Sequence, residues 1–472
     1  MRKAHIAIAA FALFLAACKM GPHYERPEQN EPEDFRFDTE NQDTIVNIRW
    51  WTLFDDPQID TLVAIALREN QDVMIAVYRI EQARAQLGIQ KGEYGPKFNL
   101  VGQVNTGNLQ SAMATGSDAR IDVAVGAVSM NWEIDIWGKY RRLTGSARAS
   151  LMAEEYNMRA VQISLISDVI QTYFQLLDFR SRLEISQETI ESRQTSLDII
   201  QARFNVGIVA EIDLNQSQIQ LAIAQTAVPL YKRQIVFTEN RLSLLLGRAP
   251  NAIPEGKKLE DEVRPLDLPT GMPMDLLLRR PDVAASEQDL VAQSEMIGVA
   301  QAQRMPALSL TGLLGVGGTD FSAFNTATLW QGGAQLLGPL FHWQQNKRRV
   351  DIERAATEEA AHEYRKVVLN AFREVDDAIT SISTLKDEIV ASESRVVAAK
   401  NGERLSTERY DKGVTSYLEV LESQRQAFDA QLKLSQGRQE LLSSYIILYK
   451  ALGGGWLSEE EEKAAQEEEQ DN

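Results

Sequence analysis

Leu418, Glu422 and Arg425 are spaced i, i+4 and i+7, so on a helix they share one face. The chemistry open to them is an ion pair beside an apolar contact. Asp213 and Glu419 each follow a glycine, Gly207 and Gly413, and each glycine follows an arginine one turn back, Arg203 and Arg409. A cation in that place complements a helix C-terminus, and glycine tolerates the reversal after it. Cys18 is the only cysteine, so an internal disulfide is excluded, although the thiol can carry a covalent group. The four histidines (His5, His23, His342, His362) are scattered singly, which disfavours a metal site. The glycines between Gly312 and Gly318 match neither a P-loop nor a dinucleotide fingerprint, and no Ser-His-Asp spacing is visible. The chain is thus expected to pair, cap and tether rather than to catalyse.

The elements that position these residues occur twice. Leu87-Gly88-Ile89 and Pro96 match Ile297-Gly298-Val299 and Pro306 at an offset of 210. RFNVGIVAEID (Arg203–Asp213) matches RYDKGVTSYLE (Arg409–Glu419) at 206, and the register runs on to Leu246-Gly247 against Leu452-Gly453. The change of offset places an insertion or deletion between Pro96 and Arg203. Each half begins with an amphipathic helix, Asp60–Gln90 and Asp282–Gln303. Two strand-like runs follow in each: Phe98–Asn105 and Ile121–Ile134, then Leu308–Val316 and Thr328–Leu337. Proline-free helical stretches come next, Lys139–Phe204 and Lys347–Tyr410, at 1.5 Å per residue roughly 95–100 Å long. Gly207 and Gly413 reverse the chain into returning helices, Ala210–Leu246 and Ser416–Leu452. The resulting organisation is signal peptide 1–17, strap 18–57, first repeat 58–247, linker 248–281, second repeat 282–455 and acidic tail 456–472.

Residues 1–18 have a positive start (Arg2, Lys3), an apolar run too short to span a membrane as a helix, and Leu15-Ala16-Ala17-Cys18. Small residues before a lone cysteine resemble a lipobox, which makes Cys18 the lipidated N-terminus, with Lys19 suiting outer-membrane sorting. Glu459–Asn472 holds eight acidic residues and one lysine, a solvated tail that accounts for much of the net charge of -18. That charge argues against nucleic acid as a partner. With no run of about 18 apolar residues elsewhere, a membrane crossing must be a β-barrel. Leu308, Leu310, Leu314 and Val316 share one parity, with Ser309 and Thr311 on the other. Four strands cannot close a barrel, so several copies are required; arithmetic alone permits two, three or four. Trp132, Trp137, Trp330, Trp343 and Phe341 fit either an interfacial belt or packing at the strand-to-helix junctions.

At this point the sequence resembles a TolC-type outer-membrane efflux protein of the lipid-anchored NodT/OprM-like branch. The resemblance is carried in order by Gly21-Pro22-His23-Tyr24-Glu25-Arg26-Pro27, Trp50-Trp51-Thr52-Leu53-Phe54-Asp55-Asp56-Pro57, Arg280-Pro281-Asp282-Val283 and the two turn motifs at Arg203–Gly207 and Arg409–Gly413. It implies a mixed α and β membrane protein: a homotrimer with a 12-stranded β-barrel in the outer-membrane lipid, continued by a long α-helical barrel across the periplasm. It implies a passive exit duct for solutes such as drugs, served by a periplasmic adaptor and an inner-membrane pump of the RND type, with no cofactor beyond the lipid on Cys18. Leu418, Glu422 and Arg425 then line the periplasmic aperture, Asp213 and Glu419 add acidic rings, and Arg203, Gly207, Arg409 and Gly413 shape adaptor-docking tips. The equivalent first-half positions, Ile212, Gln216 and Ile219, carry no charge, which assigns a charged latch to the second half. Glu422 stands where the family often has Asp, and Met305 where an aromatic is common. Two other readings compete: a lipid-anchored periplasmic coiled-coil scaffold or adaptor, which needs no lipid-facing strands, and the exit duct of a type I secretion system.

Overall fold

The structure is a computed structural model and describes residues 20–27, 50–107, 121–262, 280–318 and 327–454. Cys18, the signal segment and the acidic tail lie outside these residues. A 3-10 turn at Trp50–Phe54 leads into α1 (Pro57–Glu69), which Asp56 caps by accepting the Gln58 N–H at 2.9 Å, with Pro57 in the first turn. A helix α2 (Gln71–Gly92) follows. The single helix expected over Asp60–Gln90 is therefore two. Asn70 breaks it: its backbone is extended (φ -67°, ψ 135°), its Oδ1 accepts from the N–H groups of Asp72 and Val73, and its Nδ2 donates to the Leu245 carbonyl at 2.9 Å.

Two strands, β1 (Lys97–Gly107) and β2 (Ile121–Ile134), precede the hairpin of α3 (Lys139–Asn205) and α4 (Glu211–Leu245). A short helix α5 (Leu259–Glu262) and α6 (Pro281–Ala302) come next. The strands β3 (Ala307–Gly318) and β4 (Ala327–Leu337) then lead into α7 (Gln345–Asp411) and α8 (Tyr417–Ala451). Both α3 and α7 have 67 residues and both α4 and α8 have 35, each starting 206 residues after its counterpart. At 1.5 Å per residue the longer pair are roughly 100 Å long, far beyond the usual helix.

The four strands form one antiparallel sheet in the order β1-β2-β3-β4. The join between the repeats is the β2–β3 ladder, with Val128 opposite Leu314 and Trp132 opposite Leu310. Partners directly opposite point to the same face. The registers therefore gather Phe98, Leu100 and Val104; Val128, Met130 and Trp132; Leu308, Leu310, Leu314 and Val316; and Trp330, Ala334 and Leu336 on one face. Asn99, Gln103, Asn105, Ser129, Asn131, Ser309, Thr311, Gln331 and Gln335 take the other. Leu100 is 86% exposed and Trp330 80%, so the apolar face is uncovered in one chain. Among the described residues β1 pairs only with β2 and β4 only with β3.

The described residues fall into two compact units, each drawing on both repeats. One holds the sheet. There the strap is docked: Arg142, buried, donates to the Met20 carbonyl at 2.7 Å and pairs with Glu295 at 3.0 Å, while Tyr24 and Arg26 converge on Glu287. A Cβ on Gly21 would meet the Gly298 Cα at 2.6 Å, so both glycines permit the crossing. The tryptophans divide: Trp132 and Trp137 donate to the carbonyls of Tyr94 and Pro306, both at 2.7 Å, whereas Trp330, Trp343 and Phe341 are exposed. In the other unit Trp50 stacks on Tyr449 (centroids 5.4 Å apart), and Arg280 donates to the Ala451 carbonyl and pairs with Glu374. The described part of the expected linker packs there too, with Ile253 and Leu259 buried.

Asn70→Ala removes the cap that separates α1 from α2, a loss of about 1 kcal/mol. Amide exchange at Asp72 and Val73 is expected to accelerate about fivefold; rates equal to wild type would show that the break is set elsewhere.

Candidate functional site

The four residues expected at the turns build two near-identical caps. Gly207 (φ +75°) and Gly413 (φ +71°) occupy the left-handed position after α3 and α7. At the first, Gly207 N–H donates to the Phe204 carbonyl and Ile208 N–H to that of Arg203, both 2.9 Å. At the second, Gly413 donates to Tyr410 and Val414 to Arg409, again 2.9 Å. This is the Schellman arrangement, which satisfies the last carbonyls of each helix. The apolar residues that flank the glycines, Val206, Ile208 and Val414, are exposed.

The arginines do more than complement a helix end. Arg203 reaches from the first hairpin to the second, pairing with Asp411 at 2.8 Å and lying over the Tyr410 ring at 5.3 Å. Arg409 pairs with Glu419 at 3.1 Å across its own turn, and Thr415 also donates to that carboxylate. Glu419 is thus engaged in closing its hairpin. Asp213 sits in the first turn of α4, where a carboxylate suits the N-terminal dipole, and its charge helps to hold the Tyr410 and Tyr417 phenols up, after burial.

One turn further along, a shared apolar core joins the hairpins: Ile200 of α3, Leu214 of α4, and Tyr417, Val420 and Leu421 of α8, flanked by Leu197, Phe204, Val209 and Tyr410. The buried face of α8 continues through Gln424, Ala427 and Phe428. Leu418, Glu422 and Arg425 occupy the adjacent, exposed face, and Leu418 is 63% exposed. Within the chain Arg425 grips Glu422 with two hydrogen bonds, 2.7 and 3.1 Å, so the pair is intrahelical. Arg425 also reaches Asp429 at 3.2 Å, and Gln426 donates to Glu422. These contacts hold the Glu422 carboxyl below the usual carboxylate range. On α4 the counterparts Ile212 and Ile219 are likewise exposed.

Arg193 escapes a reading of the sequence for chemistry. It is buried in the seam, donating to the Gln424 carbonyl at 2.7 Å and pairing with Glu403 of α7 at 3.3 Å. Burial lowers its pKa and raises that of Glu403. The signal in the sequence is its spacing: Ser186, Arg193 and Ile200 lie seven apart, and all three are buried. A 790 Å³ cleft beside α5 is lined by Arg180, Glu184, Lys258 and Arg438, but its charges satisfy one another, Lys258 with Glu184 at 2.8 Å and Arg180 with Glu239 at 3.0 Å. Among the described residues no cluster of His, Cys, Asp or Glu could hold a metal ion, and no helix is long and apolar enough to cross a membrane.

Comparison with known proteins bears on what such paired hairpins and sheet do. The family model described as outer membrane efflux protein matches residues 62–248 and 272–454. The chain is 34% identical over 408 residues to the solvent efflux pump outer membrane protein SrpC of Pseudomonas putida, covering 85% of this chain and 86% of that one. It is 29% identical over 455 residues to the cation efflux system protein CusC of Escherichia coli K12, covering 94% and 98%. Its fold matches the crystal structure of the Campylobacter jejuni CmeC outer membrane channel with a TM-score of 0.85 at 27% identity, over 96% of this chain and 98% of that one.

Gly413→Ala adds a methyl group into open space, since no atom lies within 4 Å, so its cost is conformational alone, about 1–2 kcal/mol. The Val414 amide is expected to exchange at least about fivefold faster, with Gly207→Ala doing the same at Ile208. Unchanged protection would show that the turns do not need the left-handed residue.

Proposed function

The chain belongs to the outer membrane efflux protein family, and from that premise we propose how its parts make the channel. The protein is an outer-membrane efflux channel that extends into the periplasm. In the proposed assembly three copies form a homotrimer whose four-stranded sheets close a 12-stranded β-barrel. The single observation that carries this reading is the sheet: one face holds the large apolar residues Phe98, Leu100, Val128, Leu314 and Trp330, the other mixes Asn, Gln, Ser and Thr with Val101, Val125 and Leu313, and an unpaired strand lies at each edge. An open edge is not tolerated in hydrocarbon, so β4 of one copy pairs with β1 of the next. A periplasmic scaffold has no use for such a face.

The hairpins α3–α4 and α7–α8, one from each repeat (58–247 and 282–455), continue the barrel as an α-helical duct. Cys18 carries the lipid, and the strap at Met20–Pro27 hands that tether to the body. The turns at Gly207 and Gly413 with their exposed Val206, Ile208 and Val414 dock a periplasmic adaptor, which couples the duct to an inner-membrane pump of the RND type. Leu418, Glu422 and Arg425 close the aperture, with Asp213 near it. The intrahelical Arg425–Glu422 contact supports a latch that presents a fixed charged face; exposed pairs of this kind contribute little stability, which suits a gate that docking must open. The duct is passive, and its cargo is what the pump delivers. Solvents are named for one relative and cations for another.

Leu314→Arg puts a charge on the proposed lipid face, with a cost of about 2–4 kcal/mol near mid-membrane, whereas Thr311→Arg points to the opposite face. The first is expected to lower the yield of heat-resistant trimer in envelopes and the second to leave it near wild type; equal yields would reverse or abolish the assigned faces. Glu422→Ala with Arg425→Ala is expected to raise single-channel conductance in planar bilayers, and an unchanged conductance removes both residues from the gate. Glu422 is held ionised by Arg425, so its pair persists above the ordinary carboxylate range and is lost as pH falls through the lowered value. Wild-type conductance should rise only as pH falls below the usual carboxylate range.

A further inference from the structure

We propose that Arg193 is the positioning residue that fixes the rotation of α8, and thereby which side chains reach the aperture. The inference rests on the aperture reading above. The core between the hairpins near the turns is built mainly of non-directional apolar contacts among Ile200, Leu214, Tyr417, Val420 and Leu421. Such contacts accept more than one register. On α8 the buried set (Tyr417, Val420, Leu421, Gln424) and the exposed set (Leu418, Glu422, Arg425) lie one residue apart in sequence. A turn of α8 by one position, about 100°, therefore exchanges gate for core.

Arg193 forbids that exchange. It occupies the place in the α3 seam that Ile200 takes one heptad later, and only 3% of it is exposed. Its guanidinium reaches two helices of the other hairpin at once: the Gln424 carbonyl of α8 at 2.7 Å and the Glu403 carboxylate of α7 at 3.3 Å. Gln424 lies between Glu422 and Arg425, so the fixed carbonyl is within one turn of both. The turn that brings the gate face inward carries Arg425 into the place of Gln424, beside the buried Arg193 guanidinium, where two like charges meet away from water at a heavy penalty. One buried polar residue that specifies register among apolar neighbours is the best-attested use of such a group. Neighbouring polar contacts run the same way: Ser406 of α7 meets Ser423 of α8, and Gln424 itself is buried. In the first repeat α4 has no charged gate face to aim, and the position 206 residues after Arg193 is Ala399, whose methyl side chain can make no such link.

The test uses the full-length channel with Arg193→Met, which keeps the apolar stem, Arg193→Lys, which keeps the charge but not the two-pronged reach, and Glu403→Gln, which leaves the Gln424 bond in place. Register is read by labelling Leu418→Cys or Leu421→Cys with a charged thiol reagent, and function by single-channel conductance. With Arg193 present, only position 418 is expected to label. With Arg193→Met, labelling spreads to 421 and conductance rises severalfold, with Arg193→Lys and Glu403→Gln intermediate. Labelling confined to 418 in both Arg193 variants overturns the inference, and should the Met variant fail to assemble, the Lys variant decides by the same criterion. If Arg193→Met is silent while Glu422→Ala with Arg425→Ala raises conductance, the register role fails and the aperture stands. If 421 labels but neither change alters conductance, Arg193 sets register and the aperture reading fails.

Discussion

A strand edge cannot be left open in hydrocarbon, and most of this molecule follows from that constraint. Each unpaired N–H or C=O away from water costs several kcal/mol, and an 11-residue edge strand presents a row of them. The sheet has two such edges, on β1 and β4. The uncovered apolar face adds the complementary requirement, since Leu100, Trp330 and Leu336 need lipid as much as the edges need partners. In the proposed trimer both requirements are met together, as copies complete one another along β1 and β4.

How much of this could be read from residues alone depended on the range of the interaction involved. The strand parity at Leu308–Val316 and the helix ends at Gly207 and Gly413 are local, and both were legible. The break at Asn70 was not, because apolar spacing continues across it and, beside the local cap at Asp72 and Val73, its amide is fixed by a bond to the Leu245 carbonyl, 175 residues away. The β2–β3 ladder was equally hidden, since neither strand announces a partner in the other repeat. Site residues divide the same way. Leu418, Glu422 and Arg425 do share an exposed face, as spacing requires. Arg203 was legible as a cap but not as a bridge to Asp411, which depends on how the hairpins pack. Arg193 was missed because a charged residue on a long helix is usually solvated; only its place seven residues from Ser186 and from Ile200 marks it as buried.

The two repeats keep one backbone and diverge in charge. At the start of α3, Glu133 pairs with Lys139 at 2.6 Å and Asp135 accepts from the N–H groups of Tyr140 and Arg141. The positions 206 residues on are Pro339 and Phe341, so α7 begins without those carboxylates, although the left-handed residue at the junction persists as Gly138 in one repeat and Gln344 in the other. The aperture face differs in the same manner: Ile212, Gln216 and Ile219 on α4 against Leu418, Glu422 and Arg425 on α8. Backbone geometry thus tolerates replacement of the charges that decorate it.

That tolerance explains why the strong and weak interactions are segregated. Deeply buried groups such as Arg280, Arg142 and Trp50 bind segments that must never separate, and losing one partner of a buried charge is costly. The proposed gate is made instead of exposed contacts, Arg425 with Glu422 and Asp429, whose strength water and salt reduce. A latch built like the Arg280 site would hold against any adaptor, and one with no pairing would leave the periplasm open to the outside. An exposed face on a helix whose rotation is set by a buried group separates the two demands: the buried side holds the aim, and the exposed side stays weak enough to yield.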